Sequence, residues 1–351
     1  MRVLVAGAST QRVCGVRDCA HVLDEPLHDE GVETTIVWTD EPRELPALVA
    51  AEARAGYDGV LWHYSPFTYA RRGLPSGVPA MARALNRVAL PVVVLLHELA
   101  PDVRGRGWRG AAQALTQRAA LVPILRTADA AIVTAEERVA LLRSAWLPRR
   151  PVALVAVPSN VPHVAARERH ANGTLRVGIF GYRHATLNAD LVAESVAKLD
   201  GRARLVLVGA PGADTEAGGV WRSAAERHGA AVEFTGELEP DELSDALASL
   251  DVVLSPDPSG PAPRRGSLAA ALAHGRPVLA LAGPRTWQRM RSEGAVVVAD
   301  RDRFAGELRR LVADDALRAQ QGVRGRAFYD RWMTASVAAR AIRDVLVQVE
   351  R

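Results

Sequence analysis

Along this chain, short apolar runs alternate with stretches in which apolar residues recur every three or four positions. Runs of four to six apolar residues between glycine-rich or polar loops suit strands buried on both faces of a parallel sheet. They predict strands at 2–6, 36–38, 59–62, 91–96, 130–133 and 152–157. The 3.6-residue pattern predicts helices between them at about 18–30, 45–55, 111–125 and 136–144. The polar stretch from Pro158 to Thr174 reads as a linker, after which the alternation restarts. Strands are expected at 175–180, 204–208, 231–234, 252–254 and 277–281, with helices around 190–199, 220–228, 240–249 and 268–274, and a helical tail from Phe304. Repeated strand–helix alternation means a parallel, doubly wound α/β sheet, and its restart means two in tandem. The expected domains are 1–165 and 166–333, with a final helix at 334–351. In that helix Ala338, Ile342, Val345 and Val349 recur at helical spacing and need a surface to cover.

The stretch from Leu250 to Leu281 carries the clearest chemistry. Its strand, Val252–Leu254, runs into a loop with Pro256, Pro258, Gly260, Pro261 and Pro263, which can continue neither a strand nor a helix. Arg264-Arg265-Gly266-Ser267 then leads into Leu268–His274, a two-turn helix closed by Gly275. Unpaired N–H groups at a helix start make an anion site, and Gly266 admits a ligand close to the backbone. The two arginines add permanent charge in a fork that suits phosphate oxygens. A solvated loop is the plain alternative. The phosphate reading is preferred because open α/β sheets take ligands at such strand–loop–helix junctions.

Other polar residues also follow strand ends. Gly15 lies in the loop after the first strand, and His97-Glu98 directly follow the apolar run at 91–96. In the second domain, Gly181-Tyr182-Arg183-His184, Gly209–Gly212 and Thr235-Gly236-Glu237 follow successive strands. Alone, His97 reads as structural sooner than as catalytic. Glu98 shifts the reading towards function, because a charge directly after a buried strand must be paired or face a cleft. Two domains turned towards each other at these edges would enclose one cleft and close on a ligand.

Composition narrows the chemistry. The chain has 351 residues, 48% hydrophobic and 24% charged, enough for two full cores. Its net charge is +4, nearly all from arginine, since Lys198 is the only lysine. A P-loop lysine or a Schiff-base lysine elsewhere is therefore excluded. No dense basic cluster with interleaved aromatics speaks for nucleic acid. Cys14 and Cys19 have neither redox-pair nor metal-site spacing, so reduced thiols in the cytoplasm are the default. Gly7-Ala-Ser-Thr departs from G-x-G-x-x-G, which argues against a nicotinamide enzyme. The segment MRVLVAGAS reads as a strand rather than a signal peptide, and no apolar run reaches the roughly 20 residues of a membrane span. Arg104-Gly-Arg-Gly-Trp108-Arg109 reads first as a solvated loop, the alternative being a peripheral contact for an anionic membrane or an acidic acceptor.

Four places together resemble the GT-B-fold glycosyltransferases, specifically the broad retaining group that includes bacterial family 4 enzymes. They are Cys14-Gly15-Val16-Arg17-Asp18, Leu95-Leu-His-Glu98, Phe234-Thr-Gly236 with Leu243–Leu254, and Arg264-Arg-Gly-Ser-Leu…Ala273-His-Gly-Arg-Pro277-Val. The resemblance implies two Rossmann-like domains facing a cleft, with the acceptor on the first and a nucleoside-diphosphate sugar on the second. It implies donor-phosphate contacts from Gly15, Arg183, Arg264, Arg265, Gly266, Ser267 and Leu268, and a base side near Thr235, Gly236 and Glu237. His97 and Glu98 would lie at the transferred sugar, and the final helix would cross back onto the first domain. It further implies retention of configuration and no cofactor or metal, the leaving diphosphate being stabilised by cationic side chains and the helix terminus.

Two positions depart from the pattern. Its paired glutamates, eight residues apart, correspond here to Ala262 and Ala270, and its phosphate lysine to Leu187 or Asn188. Some relatives carry R-R-G-S in place of the glutamate pattern, and Arg183, Arg264 and Arg265 would then supply the charge. The alternatives to a glycosyltransferase are a GT-B-fold sugar-nucleotide epimerase, a cyclitol transferase, or a non-catalytic partner subunit. The sugar, base, acceptor and oligomeric state are not fixed by the sequence.

Overall fold

A computed structural model of the chain describes residues 1–11, 14–69, 75, 77–99, 107–145, 150–162, 173–181 and 187–350. In chain order its strands are β1 (Arg2–Ala8), β2 (Glu33–Thr39), β3 (Gly59–Tyr64), β4 (Val92–Leu96), β5 (Ala130–Val133), β6 (Val152–Leu154), β7 (Leu175–Phe180), β8 (Ala203–Val208), β9 (Val232–Gly236), β10 (Val252–Ser255), β11 (Val278–Leu281) and β12 (Val297–Ala299). Its α-helices are α1 (Gly15–Asp29), α2 (Leu45–Glu52), α3 (Pro66–Tyr69), α4 (Val78–Val88), α5 (Gly107–Thr127), α6 (Glu136–Ala145), α7 (Ala189–Ala197), α8 (Glu216–His228), α9 (Pro240–Ala248), α10 (Gly266–Ala273), α11 (Gln288–Ser292), α12 (Arg301–Ala313), α13 (Asp315–Trp332) and α14 (Ala335–Glu350). The chain divides into two compact units, Met1–Pro158 with Ala335–Arg351, and Ser159–Thr334.

The first unit is a parallel sheet in the order β2-β1-β3-β4-β5-β6. Side chains alternate between its faces, so each apolar strand feeds two cores. On one face Leu4, Val60, Trp62 and Val94 meet Leu45 and Val49 of α2, Met81 and Leu85 of α4, and Ile124 of α5. On the other, Val3, Val5, Leu61, Val93 and Leu95 meet Cys19, Ala20, Leu23 and Leu27 of α1 and Ala338, Ala339, Ile342, Val345 and Leu346 of α14. The surface that the apolar stripe of α14 covers is therefore α1 and this sheet face. Arg340 and Arg343 of α14 add ion pairs to Glu30 at the end of α1.

The second unit is also a six-stranded parallel sheet, in the order β12-β11-β10-β7-β8-β9. Its core joins Val177, Ile179, Leu205, Leu207, Val252, Leu254 and Leu279 to Val192 and Val196 of α7 and Phe304, Leu308 and Leu311 of α12.

Some elements differ from the sequence expectation. α4 was not among the expected helices; its Pro79 lies in the first turn, where proline's missing N–H would have no partner. Strand β12 is only three residues long. β2 starts at Glu33, earlier than expected, because an edge strand needs no apolar residue at Thr34 or Thr35.

Candidate functional site

In the second unit the strand order reverses between β7 and β10, whose neighbours lie on opposite sides. Loops leaving the carboxyl ends of such a strand pair diverge and leave a crevice. A pocket of about 430 Å³, its open mouth included, lies at that place. Phe180 and Gly181 from the end of β7, Ser255 and Asp257 from the end of β10, and Arg265 and Ser267 at the start of α10 are among its walls. Leu268 lines it too. Gly181 turns the chain with φ +75°, and a Cβ there would lie 3.5 Å from Ser267 Cβ, so the β7 loop starts against the helix terminus. Arg183 lies outside the described residues.

α10 starts without a cap. Arg265 is the N-cap residue in extended conformation (φ −91°, ψ 98°), its side chain makes no cap hydrogen bond, and no acidic residue lies in the first turn. The first intrahelical bond is donated by Ala269 N–H to the Arg265 carbonyl at 3.0 Å. The N–H groups of Gly266, Ser267 and Leu268 precede it, and a Cβ on Gly266 would meet nothing within 4 Å. The sequence pointed to this arrangement, though Arg264 and Gly266 are not among the residues lining the pocket.

Arg265, expected to add permanent charge beside the helix start, forms an ion pair with Asp257, whose side chain is 7% exposed. Asp257 also accepts from the Ser259 N–H at 2.8 Å and the Ser259 hydroxyl at 2.7 Å. A buried carboxylate is stable only when paired and hydrogen-bonded in this way. Arg265 is thus held in place at the wall with part of its charge compensated.

The two departures from the glutamate pattern are structural facts as well. Ala262 and Ala270 are fully buried, so a carboxylate at either would have to be paired or hydrogen-bonded. At the lysine position, Leu187 lines the pocket, and Asn188 donates to the Pro256 carbonyl at 3.1 Å and accepts from Arg301 at 3.1 Å. Thr235 and Gly236 sit two strands from β7, where Thr235 Oγ1 accepts from the Gly209 N–H at 2.9 Å. Neither they nor the exposed Glu237 line the pocket.

In the first unit the carboxyl edge of the sheet holds a second polar group. His97 follows β4 and is 7% exposed, and its Nε2 lies 3.1 Å from Nδ1 of His63 on β3, which is 1% exposed. The backbone of His97 is fixed from both sides. Its N–H donates to the Tyr64 carbonyl at 2.9 Å, and its carbonyl accepts from Thr134 Oγ1 at 3.0 Å and Arg138 Nη1 at 2.7 Å. Burial pushes the pKa of His63 down to about 4. Burial, helped by His63 and the Arg138 charge, pushes that of His97 well below its ordinary value. Both rings are therefore neutral at pH 7 and act as hydrogen-bonding groups, not as cations. Glu98 beside them is half-buried. Gly15, expected in a loop, is instead the first residue of α1, because the helix starts three residues before Asp18; a Cβ there would meet nothing within 4 Å.

Residues 173–314 match the family described as glycosyl transferases group 1. The matched residues lie within the second unit. No curated protein matches the chain. Solved structures match over nearly its whole length. HepE from Anabaena in complex with UDP is 14% identical, with a TM-score of 0.70, over 99% of this chain and 100% of that one. HepE with UDP and glucose gives the same TM-score at 15% identity, over 99% of each chain. WaaG, a glycosyltransferase involved in lipopolysaccharide biosynthesis, is 13% identical, with a TM-score of 0.62, over 98% of this chain and 99% of that one. A putative UDP-N-acetylglucosamine 2-epimerase from Listeria monocytogenes is 14% identical, with a TM-score of 0.59, over 97% and 94%. At these identities the likeness is one of fold, and the fold is GT-B.

The glycosyl transferases group 1 domain includes every residue lining the pocket. It also includes Asp257, which sequence reasoning passed over. Its signal was present: an aspartate in a proline-rich loop with a serine two positions on favours a turn closed by its own carboxylate. His63 was missed as well, because it stands inside a strand rather than after one.

Proposed function

We propose that this chain transfers a glycosyl group from a nucleoside-diphosphate sugar to an acceptor bound by the first unit, without a metal and with retention of configuration. The observation carrying this reading is the uncapped start of α10, with Arg265 fixed beside it, opening into a pocket at the strand-order reversal. When the bond from the anomeric carbon to the diphosphate breaks, negative charge grows on the leaving oxygen. Prearranged N–H groups and an arginine at that point lower the barrier, because they interact more strongly with the transition state than with the donor. The nucleotide is taken to be UDP, as held by HepE. Retention comes from the family resemblance.

A second reading has its own observation. Ala262 and Ala270 are buried where the resembled group has paired glutamates, which suits a subunit that binds nucleotide and performs no transfer. Calorimetry with UDP, followed by a screen for UDP release from UDP-sugars with and without EDTA, separates the readings. Binding with EDTA-resistant release supports transfer. Binding without release from any donor supports the second reading, and absence of UDP binding contradicts both.

The acceptor side of the proposal includes a membrane contact. On α5, Trp108, Leu115 and Val122 follow one another at seven-residue steps and are 76%, 58% and 47% exposed. The helix also carries Arg109, Arg118 and Arg126, all exposed, and no acidic residue. An exposed apolar stripe flanked only by positive charge complements an anionic lipid surface. Among the described residues no helix is long and apolar enough to cross a membrane, so the contact would be peripheral.

A further inference from the structure

We infer that His63 is the positioning residue of His97, holding its ring in one orientation and one tautomer. The inference rests on the reading of His97 as a residue of the transfer site. His63 occupies an inward position of β3 on the face that α1 and α14 cover, where its neighbours along the strand are apolar. Burying an imidazole there costs about 1–3 kcal/mol unless its nitrogens are paired. Its Nδ1 meets His97 Nε2 at 3.1 Å, while its Nε2 is buried without a partner. The hydrogen-bonding capacity that His63 uses is thus directed at His97.

The far side of His63 is sealed. Trp38 on β2 packs edge-on against it, with ring centroids 6.2 Å apart at 74°. Trp38 reaches that position by lying over Gly7 of β1, where any Cβ would collide with the indole. Three strands therefore contribute to a row that ends on His97. The backbone of His97 is already fixed by Tyr64, Thr134 and Arg138, which leaves ring rotation as its main freedom. The bond to His63 removes that freedom. One proton lies between two neutral rings, so the character of His97 Nε2 is set by His63, and that of Nδ1 follows as its opposite.

Imidazole nitrogen NMR on the wild-type chain should show His97 in a single, slowly exchanging tautomer. In a folded His63→Ala variant it should become an averaged mixture, and turnover should fall about tenfold while UDP affinity and donor KM stay within about twofold. His63→Asn, whose amide reaches the position of Nδ1, should restore most of the turnover and the single tautomer. Tautomer averaging in the wild type would overturn the inference whether or not the variants fold. So would an unchanged His97 spectrum or unchanged kcat in folded His63→Ala. If His97→Ala turns over normally, the catalytic reading of His97 fails, and the spectra alone decide whether His63 holds its ring.

Discussion

His63 and His97 are kept neutral at a cost that pH can expose. The pKa of native His63 is about 4, against an ordinary 6.5 in the unfolded chain. Between those values the unfolded chain takes up a proton that the native state refuses. Stability is therefore complete above about pH 6.5 and declines as pH falls towards 4, by about 2 kcal/mol at pH 5 for this one group. Thermal unfolding at pH 7 and pH 5 should show a smaller loss in His63→Asn than in the wild type; equal losses would mean that the residue is not buried as described. For the site itself, His97→Ala should lower turnover far more than UDP affinity, and normal turnover in the folded variant would make the residue structural. Arg265→Ala should weaken UDP binding about tenfold or more, since hydrogen bonds to charged groups contribute about 1.5–3 kcal/mol. Unchanged affinity would assign the anion site to the helix terminus alone. At this scale the sequence revealed residues that follow a strand or open a helix, such as His97 and Arg265. It hid residues whose meaning lies in a distant partner. Asp257 matters through Arg265, eight positions away, and His63 through His97, 34 positions away.

Among the elements, α10 makes the sharpest prediction. Gly266 is the first helical residue, and Arg265 before it is extended, which suits a following proline. Gly266→Pro should therefore fold normally yet lose one N–H donor and crowd the pocket, lowering UDP affinity at least about tenfold. Wild-type affinity would remove the helix terminus from the site. α5 makes a second prediction: the chain should sediment with phosphatidylglycerol-containing vesicles, less so with purely zwitterionic ones. Trp108→Ala combined with Arg118→Glu should abolish this without changing UDP affinity, and undiminished sedimentation would place the contact elsewhere. Elements with strong apolar runs, such as β4, β5 and β7, were legible because burial on both faces demands such runs. α4 and β12 were not, and β12 is too short to show a period.

For the whole molecule, the restart of strand–helix alternation near residue 175 was enough to show two parallel α/β units, but not that their strand orders differ, the order reversing between β1 and β3 in the first and between β7 and β10 in the second. The return of α14 to the first unit was not written in its own stripe, which asks for a surface without naming one. The central claim is that a nucleoside diphosphate binds where β7, β10 and α10 meet. Hydrogen–deuterium exchange with and without saturating UDP, its binding measured by calorimetry on the same sample, tests this most directly. Exchange should slow at residues 180–181, 255–257 and 265–269, with little change in the amides of β11 and β12. Bound UDP with unaltered exchange in 265–269, or no UDP binding at millimolar concentration, would contradict it.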